Sequence, residues 1–180
     1  MPGHDPFGLQ RSIFKLTDPD LPGREATDRA FAGIRGGATH VVVRRPNDTP
    51  AKVFQMATML CPVFREGAQW KMLVHDRVDV ARTTFAHGAV LRLNGIPGGP
   101  AKSMLLGKER MMGVSVHTIG EARSARLQDA DFLIFGNVYQ TDSHPGEPGT
   151  GLDALAEIVE DSHVPVIAIG GITAGRVDEI

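Results

Sequence analysis

Short apolar runs alternate with longer stretches of helical periodicity from about residue 12 to the last residue. Residues 12–17 are expected to form a first strand, closed by the turn-forming run Asp18-Pro-Asp-Leu-Pro-Gly23. Over 24–35, Ala26, Ala30, Phe31 and Ile34 recur on one helical face, and Gly36-Gly37 ends the pattern. The β-branched run over 39–44 predicts a second strand. A helix over 50–64 follows, with Asp48 and Thr49 as capping candidates.

The alternation continues with strands over 71–74, 89–92, 112–116, 132–135 and 164–169. Helices are expected over 78–85, 101–106, 118–127 and 152–159. Glu121 stands three residues after Thr118, a capping-box spacing. Residues 141–151 are polar and rich in glycine and proline, and read as a long ligand loop. A seventh helix is expected to open at Gly170-Gly171.

Strands joined by helices run parallel, and strands apolar throughout are covered on both faces. A doubly wound open sheet and a barrel both meet that requirement. The barrel is preferred, because the long functional-looking loops all follow strands. The expected fold is therefore a (β/α)8 TIM barrel, with its last strand–helix unit missing from the chain. Residues 1–11, with two prolines and two glycines among the first ten, are expected to be a flexible arm. Residues 12–180 form a single domain, because no linker or low-complexity segment interrupts the series.

Composition narrows the chemistry. Of 180 residues, 42% are hydrophobic and 22% charged, enough for a substantial core under an ordinary surface. A net charge of -2 and scattered basic residues give no general attraction to nucleic acid or an anionic membrane. The single cysteine, Cys61, rules out an intrachain disulfide and a thiolate metal cluster, and its apolar surroundings read as core. The amino terminus lacks a charged segment followed by an apolar core, so a cytoplasmic location is expected. Homo-oligomerisation is left open.

Residues at strand ends point into a barrel mouth, so they are the candidates for chemistry. His75 and Asp76 follow strand 3, and Ser115 and His117 stand at the end of strand 5. Asn137 and Thr141 lie in the loop after strand 6, and Arg44 closes strand 2. Gly170 and Gly171 follow strand 7, where backbone N–H groups approach a phosphate in barrels of this kind. The bland readings are a cap for Asp76, a structural role for either imidazole and a tight turn for the glycines.

Five stretches carry a resemblance, in order and at matching spacing. They are His75-Asp-Arg-Val-Asp-Val-Ala, Gly113-Val-Ser-Val-His-Thr, Phe135-Gly-Asn-Val-Tyr-Gln-Thr-Asp, Gly149-Thr-Gly-Leu-Asp-Ala-Leu and Ile167-Ala-Ile-Gly-Gly-Ile. Together they resemble the thiamine phosphate synthase and thiazole tautomerase superfamily. The resemblance implies a barrel that holds a small phosphorylated, thiazole-type ligand. The synthase branch couples a pyrimidine diphosphate to thiazole phosphate and needs Mg²⁺. The tautomerase branch moves one proton on a carboxythiazole phosphate and needs no metal.

The synthase pattern is incomplete here. Val42 and Pro46 stand at its glutamine and lysine, His75-Asp76 at its Asn-Asp pair, and Gly95 at a metal-binding aspartate. Thr141-Asp-Ser-His144 replaces its pyrophosphate-gripping loop. The loop beginning at Phe135 is more similar to the tautomerase branch, although Asn137 stands where that branch carries its catalytic histidine. The resulting expectation is a tautomerase without a cofactor, with synthase (and then Mg²⁺) or a catalytically degenerate phosphate-ligand binder as alternatives. Its catalytic positions are His75, His117 and Asn137. Its substrate-binding set is Arg44, Asp76, Ser115, Thr141, Gly170 and Gly171, with no metal ligand.

Overall fold

The computed structural model describes residues 8, 9, 11–62, 67–105, 107, 109–141, 146 and 148–180. Seven strands alternate with helices: β1 (Phe14–Leu16), α1 (Gly23–Arg35), β2 (His40–Val43), α2 (Pro50–Leu60), β3 (Lys71–His75), α3 (Val78–Thr83) and β4 (Gly88–Arg92) form the first half. The second half is α4 (Gly98–Leu105), β5 (Met111–Val116), α5 (Ile119–Arg126), β6 (Phe132–Phe135), α6 (Leu152–Asp161) and β7 (Val166–Ala168). The strands pair in sequence order and all in parallel, curling into a nearly closed TIM-like barrel in which β1 and β7 are not paired with each other.

Side-chain alternation divides the sheet into two apolar layers. Val41, Val43, Met72, Val74, Ala89 and Met112 face outward, into a buried layer shared with Ala30, Val53, Ala57 and Val78. Val42, Leu73, Val90, Met111, Phe132 and Ile134 face inward and fill the barrel. Each fully buried side chain of this size is worth about 1.5–3 kcal/mol relative to exposure, so the two layers hold the strand ends rigidly. Phe132 fits only because Gly113 lies across from it, where a Cβ would stand 2.3 Å from the ring.

Several boundaries differ from expectation. α2 stops at Leu60 because Pro62 forces Cys61 into an extended conformation, with φ -65° and ψ 121°. Val63 and Phe64, assigned to that helix, lie outside the described residues. Thr49 makes no side-chain cap bond, and Asp48 instead accepts from Arg45 Nε at 2.7 Å. Cys61 is buried, as its apolar run implies. Leu9, within the segment expected to be a loose arm, is buried in the inward-facing cluster, while residues 1–7 lie outside the description.

No α-helix opens at Gly171. A 3₁₀ helix over Ala174–Glu179 takes its place, because Gly170 and Gly171 both adopt positive φ and Thr173 is extended. Among the described residues, no helix is long and apolar enough to cross a membrane.

Candidate functional site at the carboxyl ends of the strands

Inward parity runs past the ends of the strands into a polar ring. On β2, Val42 faces inward, so Arg44 does too; on β3, Leu73 leads to His75. On β4, Val90 leads to Arg92, which stands in register with Ser115 of β5. These residues, with His117, Asn137, Thr141, Gly170 and Gly171, line one open cavity of about 1540 Å³. The cavity also reaches the seam between β1 and β7, so only part of that volume belongs to the mouth.

Arg44 is set by a buried hydroxyl. Thr17, just past β1, accepts from Arg44 N–H at 2.8 Å and donates to the Arg44 carbonyl at 3.1 Å. The neighbouring Arg45 turns the other way and donates to the carbonyls of Asp18 and Leu21. Thus one arginine clamps the loop after β1. The other lines the mouth and, among the described residues, forms no ion pair.

Asp76 does not line the cavity; it acts behind Arg92. Its backbone is left-handed, with φ 59°, which aspartate tolerates better than most residues. One carboxylate oxygen accepts from the Arg92 backbone N–H at 3.2 Å, and the other takes Nε and Nη2 of the Arg92 guanidinium. Arg92 was not among the residues singled out from the sequence. The period-2 parity of β4 was the signal that could have found it.

The two imidazoles differ. Burial pushes His75 down to about 4; Asp76 opposes that shift, and Arg44 and Arg92 add to it. His75 is therefore neutral near neutral pH and a weak base. His117 donates from Nδ1 to the Gly136 carbonyl at 3.0 Å, because a carbonyl can only accept. The His117 backbone N–H donates to Glu121 at 2.6 Å, and Thr118 caps α5 by accepting from Glu121 N–H at 3.1 Å. The expected capping box is present, with Glu121 reaching one residue further back.

Asn137 stands apart. Both polar atoms of its side chain are buried and have no hydrogen-bond partner. Gly170 and Gly171 lie against the loop that carries it: Val138 N–H donates to Ile169 O at 2.9 Å, and Tyr139 N–H donates to Gly170 O at 3.0 Å. Arg176 then stacks over the Tyr139 ring at 4.3 Å and donates to Gly171 O, fixing the 3₁₀ helix on the same loop. Of the run Thr141-Asp-Ser-His144, only Thr141 lies within the described residues.

The model of the thiamine monophosphate synthase family matches residues 13–180. The chain belongs to that family. It is 37% identical to a thiamine-phosphate synthase of Roseiflexus over 89% of this chain and 68% of that protein. A putative thiamine-phosphate synthase of Geobacter sulfurreducens is 35% identical over 93% of this chain and 79% of its own. Among solved structures, thiamine phosphate pyrophosphorylase from Pyrococcus furiosus superposes with a TM-score of 0.74 at 30% identity, covering 92% of this chain and 77% of that one.

These findings correct the functional expectation. They place the chain in thiamine biosynthesis, but none points to the tautomerase branch, and the relatives carry synthase names. An amide at Asn137 cannot shuttle a proton, and burial, by pushing His75 down to about 4, makes it a weak base.

Magnesium, which a synthase reaction implies, meets a poor donor set here. Arg92 engages both oxygens of Asp76, and Gly95 offers no carboxylate. Among the described residues, no cluster of three or more His, Cys, Asp or Glu side chains could hold a metal ion. The residues present do not fit the ion, so no step is assigned to it.

Proposed function

We propose that this chain catalyses the synthase reaction, joining a pyrimidine diphosphate to thiazole phosphate. The observation that carries this reading is the pair of guanidinium groups, Arg44 and Arg92, at the strand-end mouth of a chain aligned with the synthase family over residues 13–180. In this reaction the thiazole nitrogen lone pair forms a C–N bond to the pyrimidine methylene carbon. The carbon–oxygen bond to the diphosphate breaks, and its electrons leave with the diphosphate oxygen. Nitrogen becomes cationic, and no proton changes hands.

That bookkeeping suits the residues. A reaction without proton transfer needs no imidazole at 137, so the amide there is no obstacle. It does need charge placed against the departing oxygens, and the guanidinium groups of Arg44 and Arg92 supply it. Gly170 and Gly171, facing the same cavity, are proposed to offer backbone N–H groups to the thiazole phosphate. Ser115 and Thr141 supply neutral hydroxyls at its rim.

The test is to incubate the purified protein with the two phosphorylated substrates and follow thiamine phosphate by chromatography. Product that depends on both substrates supports the reading. Aromatisation of a carboxythiazole phosphate without coupling activity would overturn it.

A further inference from the structure

Asp76 and Arg92 form an arrangement that the family resemblance does not explain. A carboxylate at the end of a barrel strand, beside a site for phosphorylated ligands, is placed to attract a divalent cation. Here its two oxygens are taken by the N–H and the guanidinium of a single residue. The position that could add a second carboxylate is closed as well: a Cβ at Gly95 would stand 2.8 Å from Asp76 Oδ1 and 3.1 Å from the Arg92 carbonyl. A longer side chain at 95 would have to displace the ion pair.

The guanidinium is not spent on this contact. Arg92 has five N–H donors, of which Nε and Nη2 face Asp76, and its side chain is 69% exposed. Nη1 is not part of that contact, and Arg92 lines the mouth together with His75, Ser115 and His117. Asp76 is only 17% exposed, so the pair is anchored from behind and open in front. Burial pushes His75 down to about 4, so the ring adds no second positive charge to the one Arg92 carries.

We propose that Arg92, held by Asp76, is a built-in cation that replaces a divalent metal at this mouth. It binds the oxygens of a diphosphate or phosphate monoester directly, with Arg44 as the second positive group. Asp76 is then a positioning residue that acts through Arg92. The proposal deepens the synthase reading, since it names the group that meets the diphosphate, but anion binding can be measured without turnover.

The experiment is calorimetric titration of the purified protein with inorganic pyrophosphate, in EDTA and in excess Mg²⁺. Binding in EDTA at least as tight as in Mg²⁺ is expected. Arg92→Gln should weaken it by roughly 10- to 100-fold, the worth of one or two charge-assisted bonds. Arg92→Lys should recover only part, because one ammonium cannot fork between Asp76 and the anion. Arg92→Gln takes the guanidinium from a carboxylate only 17% exposed, so circular dichroism confirms that each variant is folded at the titration temperature before affinities are compared.

Binding that appears only with Mg²⁺, or that Arg92→Gln leaves unchanged, overturns the proposal. So does Mn²⁺ bound to the parent and detected by electron paramagnetic resonance at micromolar affinity. Failure of the coupling assay alongside metal-free, Arg92-dependent binding would instead overturn only the synthase reading.

Discussion

Gly170 lies so close to Asn137 that a Cβ at 170 would stand 2.7 Å from Asn137 Oδ1 and 2.9 Å from its Cα. The loop after β7 and the loop after β6 are thus packed backbone to backbone. Gly171 repeats the relationship with Tyr139 and Gln140, where a Cβ would be 2.8 Å and 2.7 Å from the nearest atoms.

Gly170→Ala meets two penalties at once. The backbone has φ +99°, which an L side chain rarely adopts, and the added methyl has no room. The expected loss is about 2–4 kcal/mol, combining left-handed strain with overpacking. Urea unfolding measures it, and a midpoint equal to the parent's would show that the two loops separate freely. Gly171→Val should destabilise for the same reason, so a fall in phosphate affinity in that variant has to be normalised for folding.

Asn137 gives the opposite expectation. Its buried amide has no partner, and each such orphan costs about 1–3 kcal/mol. Asn137→Leu, similar in shape, should raise stability by roughly 1–2 kcal/mol while weakening the binding of thiazole phosphate, if the amide serves the ligand. Thermal melting and calorimetry read the two effects separately. A variant that loses stability and keeps its affinity would show the amide to be a structural residue.

The fold was legible because its signals are periodic. Each strand over residues 39–135 is apolar on both faces, and only a parallel sheet sandwiched between side-chain layers tolerates that. Helix ends were less legible. Pro62 announces the stop at Leu60, yet the hydrophobic run through Phe64 outweighed it. The 3₁₀ helix after Gly171 depends on tertiary contacts from Arg176 to Tyr139 and Gly171, which no local pattern encodes. At the mouth, strand-end position brought His75, Ser115 and His117 into one cavity. It missed Arg92, which reads as an ordinary surface arginine until β4 parity turns it inward. Nor does strand-end position show that burial pushes His75 down to about 4, because burial is invisible in a single sequence.

His75 yields a direct measurement. With its titration pushed down to about 4, its ring signals should not move between pH 8 and pH 6. Nuclear magnetic resonance of the imidazole carbon shifts, assigned with His75→Asn, follows this. The same depression means that His75→Asn should leave no missing inflection near pH 6.5 in any activity profile. A His75 midpoint at or above 6 would restore the acid/base role set aside above.

The last prediction concerns acid stability and the other end of the barrel. His40, at the start of β2, is 3% exposed and stacks on Phe14 with ring centroids 4.4 Å apart and planes 4° from parallel. Its Nδ1 lies 2.9 Å from the Thr39 hydroxyl, and its Nε2 is buried without a partner. A charged ring in that position would lack water on both faces. Burial accordingly pushes His40 down to about 4, and Lys71 and His87 add to the shift. The unfolded chain binds the proton near the ordinary value of about 6.5, whereas the folded chain resists it until about 4. Between those limits the unfolded state carries more protons, so stability is fully present above about pH 6.5 and declines as the pH falls toward 4. From pH 7.5 to pH 5 the share from His40 is about 2 kcal/mol. His75 and His87 are shifted in the same direction and steepen the decline. Urea unfolding at the two pH values measures the total, and His40→Leu should remove the His40 share of the slope while keeping an apolar contact with Phe14. An identical pH slope in parent and variant would falsify the assignment of this acid sensitivity to His40.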